Sequence, residues 1–228
     1  PAGGGEEAKG VFLVSGKRNS QESLHFGGDL GLTRTSLTFQ NLRLFQQGRR
    51  GRIQGEGEIA FSERLKLWLK AYVSGLDLSP ELGVVTDLSG EIEIKGPLES
   101  YKGHLRLINQ SMGWQKIQAS ADFRGSLEYL EITSCDAKWL NGSVKGPLKI
   151  SWRDGVSVGG KIQGRNLDPA VLNPELQGKI NLNLEGKFLA PPTKAPKASF
   201  KVDILESRLL ERALTGDLEG NWQENLLN

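Results

Sequence analysis

The chain has 228 residues, with 29 Lys or Arg against 27 Asp or Glu, and its formal net charge is +2. Nucleic-acid-binding proteins usually concentrate basic residues on one face, so this scattered and nearly balanced charge argues against a nucleic-acid partner. The single cysteine, Cys135, excludes an internal disulfide, and the two histidines, His25 and His104, offer no metal-ligand spacing and no Cys–His pair. We therefore expect no enzyme, no metal and no cofactor.

In chain order, residues 1–9 lack periodicity, and we expect a flexible end there. From Gly10 onward apolar and polar residues alternate, which is the pattern of half-buried β-strands. The dipeptides Asn141-Gly142 and Asp154-Gly155 between strands are typical of tight hairpin turns, so most strands should be antiparallel. The alternation predicts strands over residues 10–14, 37–45, 52–61, 65–73, 90–96, 103–107, 116–123, 127–133, 143–152, 156–164, 179–186 and 198–202.

Two proline-bearing stretches and one leucine-rich stretch interrupt this pattern. The tripeptide Pro-Glu-Leu occurs twice and cannot continue a central strand, so we expect short helical crossings near residues 80–88 and 168–176. Residues 205–214 have the leucine spacing of a helix, but an internal repeat aligns residues 212–218 with the strand near 118–123. We therefore predict a strand in that stretch.

The chain repeats a unit of about 90 residues. Three pairs of glycines lie at a nearly constant offset of 88 to 90 residues: Gly75 and Gly164, Gly90 and Gly178, and Gly96 and Gly186. Repeats of this kind extend a structure in one direction instead of closing a globule. We therefore expect residues 10–228 to form a single continuous body of about two and a half units, cut from a longer array.

The clearest strands have an apolar side of Ile, Leu and Val and a polar side of Glu, Lys, Asn and Gln. The apolar side can be shielded by a second sheet packed about 10 Å away, or by curling of a single sheet into a trough. A sandwich requires large interdigitating side chains, whereas the residues here are mainly medium-sized aliphatics. We therefore predict an all-β fold with one elongated, curved, mostly antiparallel sheet whose apolar face lines a groove.

The candidate groove-lining residues are the apolar residues of the alternating pattern in the strands. The alternative is that the same side chains pack against one another in a closed core, and from the residues alone this alternative is the simpler one. The candidates are Phe12, Val14, Ile92, Ile94, Leu105, Leu107, Ile150, Val156, Val158, Ile180, Leu182, Leu184, Phe200 and Val202.

Residues 96–125, 140–152 and 160–188 share the motifs Gly-x-Leu-x-Gly and Asn-Leu-Asp-Pro…Pro-x-Leu-x-Gly together with polar–aliphatic alternation. In this order the motifs resemble the repeated interior of the TamB family, within the wider group of AsmA-like proteins. The resemblance implies a β-taco fold with an apolar interior and no catalytic residues. It also implies a periplasmic segment of an inner-membrane-anchored protein in a double-membrane bacterium.

The resemblance further implies a link to outer-membrane biogenesis and to glycerophospholipid transport between the two membranes. A lipid tail that leaves a bilayer exposes methylenes at about 0.8 kcal/mol each, so a tail of roughly sixteen carbons meets a barrier of about 12 kcal/mol. An apolar groove would remove most of that cost. We therefore expect the groove-lining residues to contact phospholipid acyl chains.

A second hypothesis assigns the chain to a different class of protein. In it the chain is a scaffold or chaperone segment that assists outer-membrane protein assembly by binding strands at a sheet edge. The resemblance implies an outer-membrane β-barrel protein of the assembly module as a partner of the parent chain. An open sheet edge would also allow edge-to-edge self-association of the chain.

Overall fold

The described residues are mainly β-strand, which confirms the predicted all-β class and the antiparallel pairing. It divides into two compact units, Pro1–Ser111 and Met112–Asn228. That residues 10–228 form one continuous body stays a prediction. The computed structural model describes residues 8–19, 22–46, 51–79, 84–192, 195–223 and 226–227.

The first unit holds an antiparallel meander in which each strand pairs with the next along the chain. Residues 1–7, most of the end expected to be flexible, lie outside the described residues. The alternation does not predict the second strand, because three glycines replace side chains within it. The strands are β1 (Ala8–Asn19), β2 (Glu22–Leu32), β3 (Ser36–Gln46), β4 (Arg52–Ala60), β5 (Lys66–Leu76), β6 (Leu88–Pro97) and β7 (Tyr101–Asn109).

The second unit holds a similar antiparallel sheet. A short 3-10 helix, Gly113–Gln115, precedes its first strand, and another, Pro169–Val171, joins two of its long strands. The strands are β8 (Ile117–Gly125), β9 (Tyr129–Trp139), β10 (Gly142–Lys145), β11 (Leu148–Ser151), β12 (Val156–Leu167), β13 (Gly178–Ala190), β14 (Lys197–Leu209), β15 (Arg212–Gln223) and β16 (Leu226–Leu227).

The prediction of a single strand over residues 143–152 is wrong, because two short strands, β10 and β11, occupy that stretch. Gly146 and Pro147 separate them. Gly146 has a φ of 147°, and Pro147 has no N–H to donate to a ladder. The two strands therefore follow one another between the same two neighbours, β9 and β12.

The leucine-rich stretch at 205–214 is a hairpin and not a helix, and the strand that the repeat predicts over 212–218 is confirmed by β15. Leu210 and Glu211 form its two-residue turn, with φ of 50° and 64°, the left-handed conformation that matches the twist of paired strands. The hairpin between β9 and β10 turns in the same way at Leu140 and Asn141. Its turn therefore lies one residue earlier than the predicted Asn141-Gly142.

The short crossing predicted near 168–176 is confirmed by the 3-10 helix Pro169–Val171. Asp168 caps this helix, because its side chain accepts a hydrogen bond of 3.0 Å from the backbone N–H of Ala170. In the other crossing, near 80–88, residues 80–83 lie outside the described residues. Residues 84–87 have no regular structure, and β6 begins at Leu88.

A bulge recurs in both units and corrects one detail of the repeat. The strand register shifts between Val73 and Leu76 in β5, and between Gly164 and Leu167 in β12. Within these bulges Gly75 has a φ of 59° and Asn166 a φ of 52°. Gly and Asn are the residues that best tolerate this left-handed conformation. The structural equivalent of Gly75 is therefore Asn166 and not Gly164.

Candidate functional site

In the first unit the strand register gathers aliphatic side chains on one side of the sheet. Residues directly opposite each other in paired strands point to the same side, and we call this surface the apolar face of unit 1. One row across it is Gly10, Leu30, Phe39, Gly57, Leu69, Ile94 and Gly103; another is Val14, Phe26, Leu44, Ile53, Val73, Gly90 and Leu107.

The second unit has an equivalent surface, which we call the apolar face of unit 2. Its rows run across β11–β15 or β12–β15. They are Ile150, Val158, Phe188, Ala198 and Trp222; Ile162, Leu184, Val202 and Leu218; and Gly164, Leu182, Ile204 and Gly216.

All fourteen predicted groove-lining residues lie on these two faces. Six belong to the face of unit 1 and eight to the face of unit 2, by their positions in the strand register. In unit 1 the Phe12 and Phe26 rings also meet edge to face, with centroids 5.1 Å apart. That these residues contact lipid stays a prediction.

The sequence pattern overlooks several residues of the same faces, among them Leu42 and Leu44 in β3. Leu37 and Phe39 occupy odd positions of this strand, whereas Leu42 and Leu44 occupy even ones. The change of phase occurs at Asn41, whose φ is 51°, where the register with β4 shifts. A bulge of this kind adds one residue and reverses the inside–outside order, so simple alternation fails there.

The apolar faces are not sealed inside a core. In the described part of the chain the apolar side chains that are buried are Ala71, Ala121, Phe123, Ala137, Leu140 and Leu167, and no large side chain is completely buried. The fourteen groove residues are all half-buried or exposed, and Val14 and Val156 keep 59% and 46% of their surface accessible. Because a closed core would bury such residues almost fully, this exposure favours an open apolar surface.

Glycines create a recess in the apolar face of unit 2. Gly160 and Gly186 lie side by side in β12 and β13, and the row continues to Leu148 on one side and Phe200 on the other. A Cβ on Gly186 would meet no atom closer than the Ser199 carbonyl oxygen at 3.7 Å. The Leu148 side chain extends over Gly160, since a Cβ there would lie 3.0 Å from the Leu148 Cδ1. The gap therefore lies over Gly186, between Leu148 and Phe200.

The opposite side of each sheet, its polar face, is a solvated surface of charged pairs. Lys161 contacts Glu185 at 3.0 Å, and Arg106 contacts Glu91 at 3.4 Å. Arg124 donates two hydrogen bonds to Glu131, of 2.9 and 3.0 Å, and this interaction lowers the pKa of the Glu131 carboxyl. Because the lysine and arginine side chains of these pairs are largely exposed, each pair contributes little to stability.

Two kinds of feature are absent from the residues that the structure describes. None of the described His, Cys, Asp and Glu side chains form a group of three or more able to hold a metal ion. Among the same residues there is no helix with the length and hydropathy needed to cross a membrane.

Comparison with known proteins gives one match. The family model described as "TamB, N-terminal domain" matches residues 81–221, which is more than half of the chain. The matched region contains every predicted groove-lining residue except Phe12 and Val14. No curated protein and no solved structure matches the chain.

Proposed function

Because the chain belongs to the TamB family, we propose that its apolar faces carry glycerophospholipid acyl chains between the inner and outer membranes. Members of this family are non-enzymatic components linked to outer-membrane assembly and lipid transport, and they are inner-membrane-anchored periplasmic proteins of bacteria. The lipid groove and the periplasmic location of this chain belong to the proposal.

The single observation that carries the proposal is the partial exposure of the two apolar faces. Each half-exposed Ile, Leu or Val side chain offers an acyl chain the contact that a bilayer offers, and a buried methylene contributes about 0.8 kcal/mol. Phospholipid headgroups need no such contact and can remain in water beside the face. Contacts of this kind are non-directional, so they allow a lipid to move along the surface.

The proposal is tested by measuring which side of the sheet an acyl chain approaches. Val202 in β14 lies on the apolar face of unit 2, and its neighbour Asp203 points to the polar face. We would replace each by cysteine in a Cys135→Ala background, attach a fluorophore, and add phospholipids with brominated acyl chains. Bromine quenches only at close contact, so we expect strong quenching of the Val202→Cys label.

The Asp203→Cys label is the matched control, because it lies in the same strand one residue away and outside the depression on the polar face. We expect it to lose little fluorescence with the same lipid. Equal quenching at both positions would mean that the lipid adsorbs without preference for a face. Absence of quenching at both would mean that the apolar face does not take up acyl chains, and either result would contradict the proposed function.

A second candidate function, a scaffold that binds strands at its edge, is favoured by the exposure of β1. Among the described strands only β2 pairs with β1, and β1 has twelve residues. Val11 and Leu13 in its middle keep 82% and 70% of their surface accessible. Exposed apolar strands readily pair with other strands, so within the described residues β1 is where an outer-membrane protein strand or a second copy of the chain would add.

The double variant Val11→Lys/Leu13→Lys is expected to abolish strand addition, because lysines on an edge strand oppose further pairing. Sedimentation would report self-association, and fluorescence anisotropy would report binding of a labelled peptide with the sequence of an outer-membrane β-strand. Lipid contact on the apolar face of unit 2 should be unchanged. If the variant still associates and still binds the peptide, β1 is not the binding edge.

A further inference from the structure

A depression of about 770 Å³ lies on the polar face of unit 2. Its lysine, serine and glutamate side chains lie on the side of the sheet opposite to the apolar face, and Gly160, Gly186 and Phe200 of the apolar row also border it. Strands β11–β15 line it, and its most prominent side chains are those of Lys149, Lys161, Lys187 and Lys201. None of these lysines figures in the proposed lipid contacts.

The centre of the depression is a strand position without a side chain. Gly159 in β12 lies opposite Lys149 of β11 on one side and opposite Lys187 of β13 on the other. A Cβ on Gly159 would meet nothing closer than the Gly186 carbonyl oxygen at 3.6 Å. Neighbouring strands lie about 4.8 Å apart, so the two lysines flank a gap that their flexible stems can span from both sides.

The charges around this gap are not balanced. Four lysines line the depression against two carboxylates, those of Glu185 and Glu219. Glu185 contacts Lys161 at 3.0 Å, while Lys201 lies 3.5 Å from Asp203. Two of the four lysines therefore already have an acidic partner.

The remaining two lysines lack one. Of the described carboxylates, none lies within 4.0 Å of the ammonium group of Lys149 or Lys187. Glu131 is opposite Lys149 in the register, but both of its oxygens accept hydrogen bonds from Arg124. Lys149 instead lies over the ring of Tyr129, 5.2 Å from its centroid. Lys187 leans over the bare position, because its Cγ is 4.0 Å from where a Cβ on Gly159 would lie. Lys149 reaches the same gap when its flexible stem turns away from Tyr129, and its ammonium group then leaves the neighbourhood of Glu131 as well.

Serine hydroxyl groups also line the depression and add hydrogen-bond donors to those of the lysines. Ser157 precedes Gly159 by two residues and faces the same side of the strand, and Ser151 and Ser199 also line the depression. An ammonium group offers three donors and a serine hydroxyl one. Tetrahedral oxyanions have several acceptor oxygens, and charge-assisted hydrogen bonds to them are short and strong.

We propose that this depression binds a phosphate-type anion, which Lys149 and Lys187 hold from either side of Gly159 with Ser157 as a further donor. The phosphate can belong to a small soluble compound or to the headgroups of an anionic membrane surface. Both sources present the same charged oxygens to the same lysines.

The first measurement is a titration of the chain with inorganic pyrophosphate at low salt, followed by amide shifts in nuclear magnetic resonance spectra. We expect saturable shifts centred on Gly159, and about tenfold weaker binding in the Lys149→Gln/Lys187→Gln variant. The control is Lys138→Gln/Lys145→Gln, which removes the same charge from strands of the same unit outside the depression. It should weaken binding less than about twofold.

A second arm identifies the source of the phosphate. Vesicles with phosphatidic acid and vesicles of phosphatidylcholine alone are compared by co-sedimentation with the chain and with both double variants. Preference for the phosphatidic acid vesicles that depends on Lys149 and Lys187 assigns a membrane surface as the ligand. Binding of pyrophosphate without such a preference assigns a soluble phosphate compound. The proposal is overturned if neither probe binds, or if both double variants weaken binding equally.

Discussion

The Leu182→Glu variant should lose co-purifying phospholipid by at least about tenfold and remain folded. Leu182 lies on the apolar face of unit 2, where Gly164 and Ile204 are its cross-strand neighbours. A carboxylate at this position would have to be desolvated against an acyl chain. It can still reach water when the face is empty, because Leu182 is only half-buried.

Native mass spectrometry with extraction and quantification of lipid measures this effect, and circular dichroism checks the fold. The matched control is Asn183→Glu, one residue along β13 on the polar face, where the Asn183 side chain accepts a hydrogen bond of 3.2 Å from Arg165. A carboxylate preserves that acceptor, so lipid content should not change. If Leu182→Glu unfolds the chain while Asn183→Glu does not, the apolar side chains form a closed core and the groove is refuted.

The Gly90→Ala variant is expected to destabilise the first unit by roughly 2–3 kcal/mol. Gly90 lies on β6 opposite Leu107 of β7. A Cβ there would lie 2.0 Å from the carbonyl oxygen of Arg106 and 3.0 Å from the Cα of Leu107. Both are backbone atoms, so no side-chain rotation can relieve the clash, and the two strands would have to separate.

Urea unfolding followed by far-ultraviolet circular dichroism would measure this loss. Gly10→Ala is the control, because Gly10 also lies on the apolar face of unit 1 and a Cβ there would meet nothing within 4 Å. Its free energy of unfolding should stay within about 1 kcal/mol of the original chain, since Ala in an extended conformation is unstrained. Equal stability of the two variants would show that β6 and β7 do not approach closely at Gly90.

The alternation of residue types predicts most of the strands. Successive side chains of a strand point to opposite faces, so a strand with one face in water and one against apolar neighbours alternates polar and apolar residues. The strands near 52–61, 65–73 and 179–186 are confirmed within a few residues. The alternation pattern fails where glycine offers no side chain, as in β2 with its three glycines. It also fails at Pro147, where a missing N–H interrupts the ladder.

The sequence predicts which type of residue lines the apolar faces, but it does not predict every residue that lies on them. Ile94, Leu182 and Val202 follow from local alternation, whereas Leu42 and Leu44 require knowledge of the bulge at Asn41. The conformation of one residue decides which side all following residues face. Such a local choice is set by neighbouring strands, and it leaves little trace in a single sequence.

By itself, the sequence determined that the chain is all-β, that its strands have one polar and one apolar side, and that about 90 residues repeat. Only the tertiary structure decided that the apolar faces stay partly exposed and that Lys149 and Lys187 lie on either side of Gly159. The reason is physical. Periodicity belongs to one strand, whereas burial and charge balance depend on which residues lie opposite each other, and that depends on register.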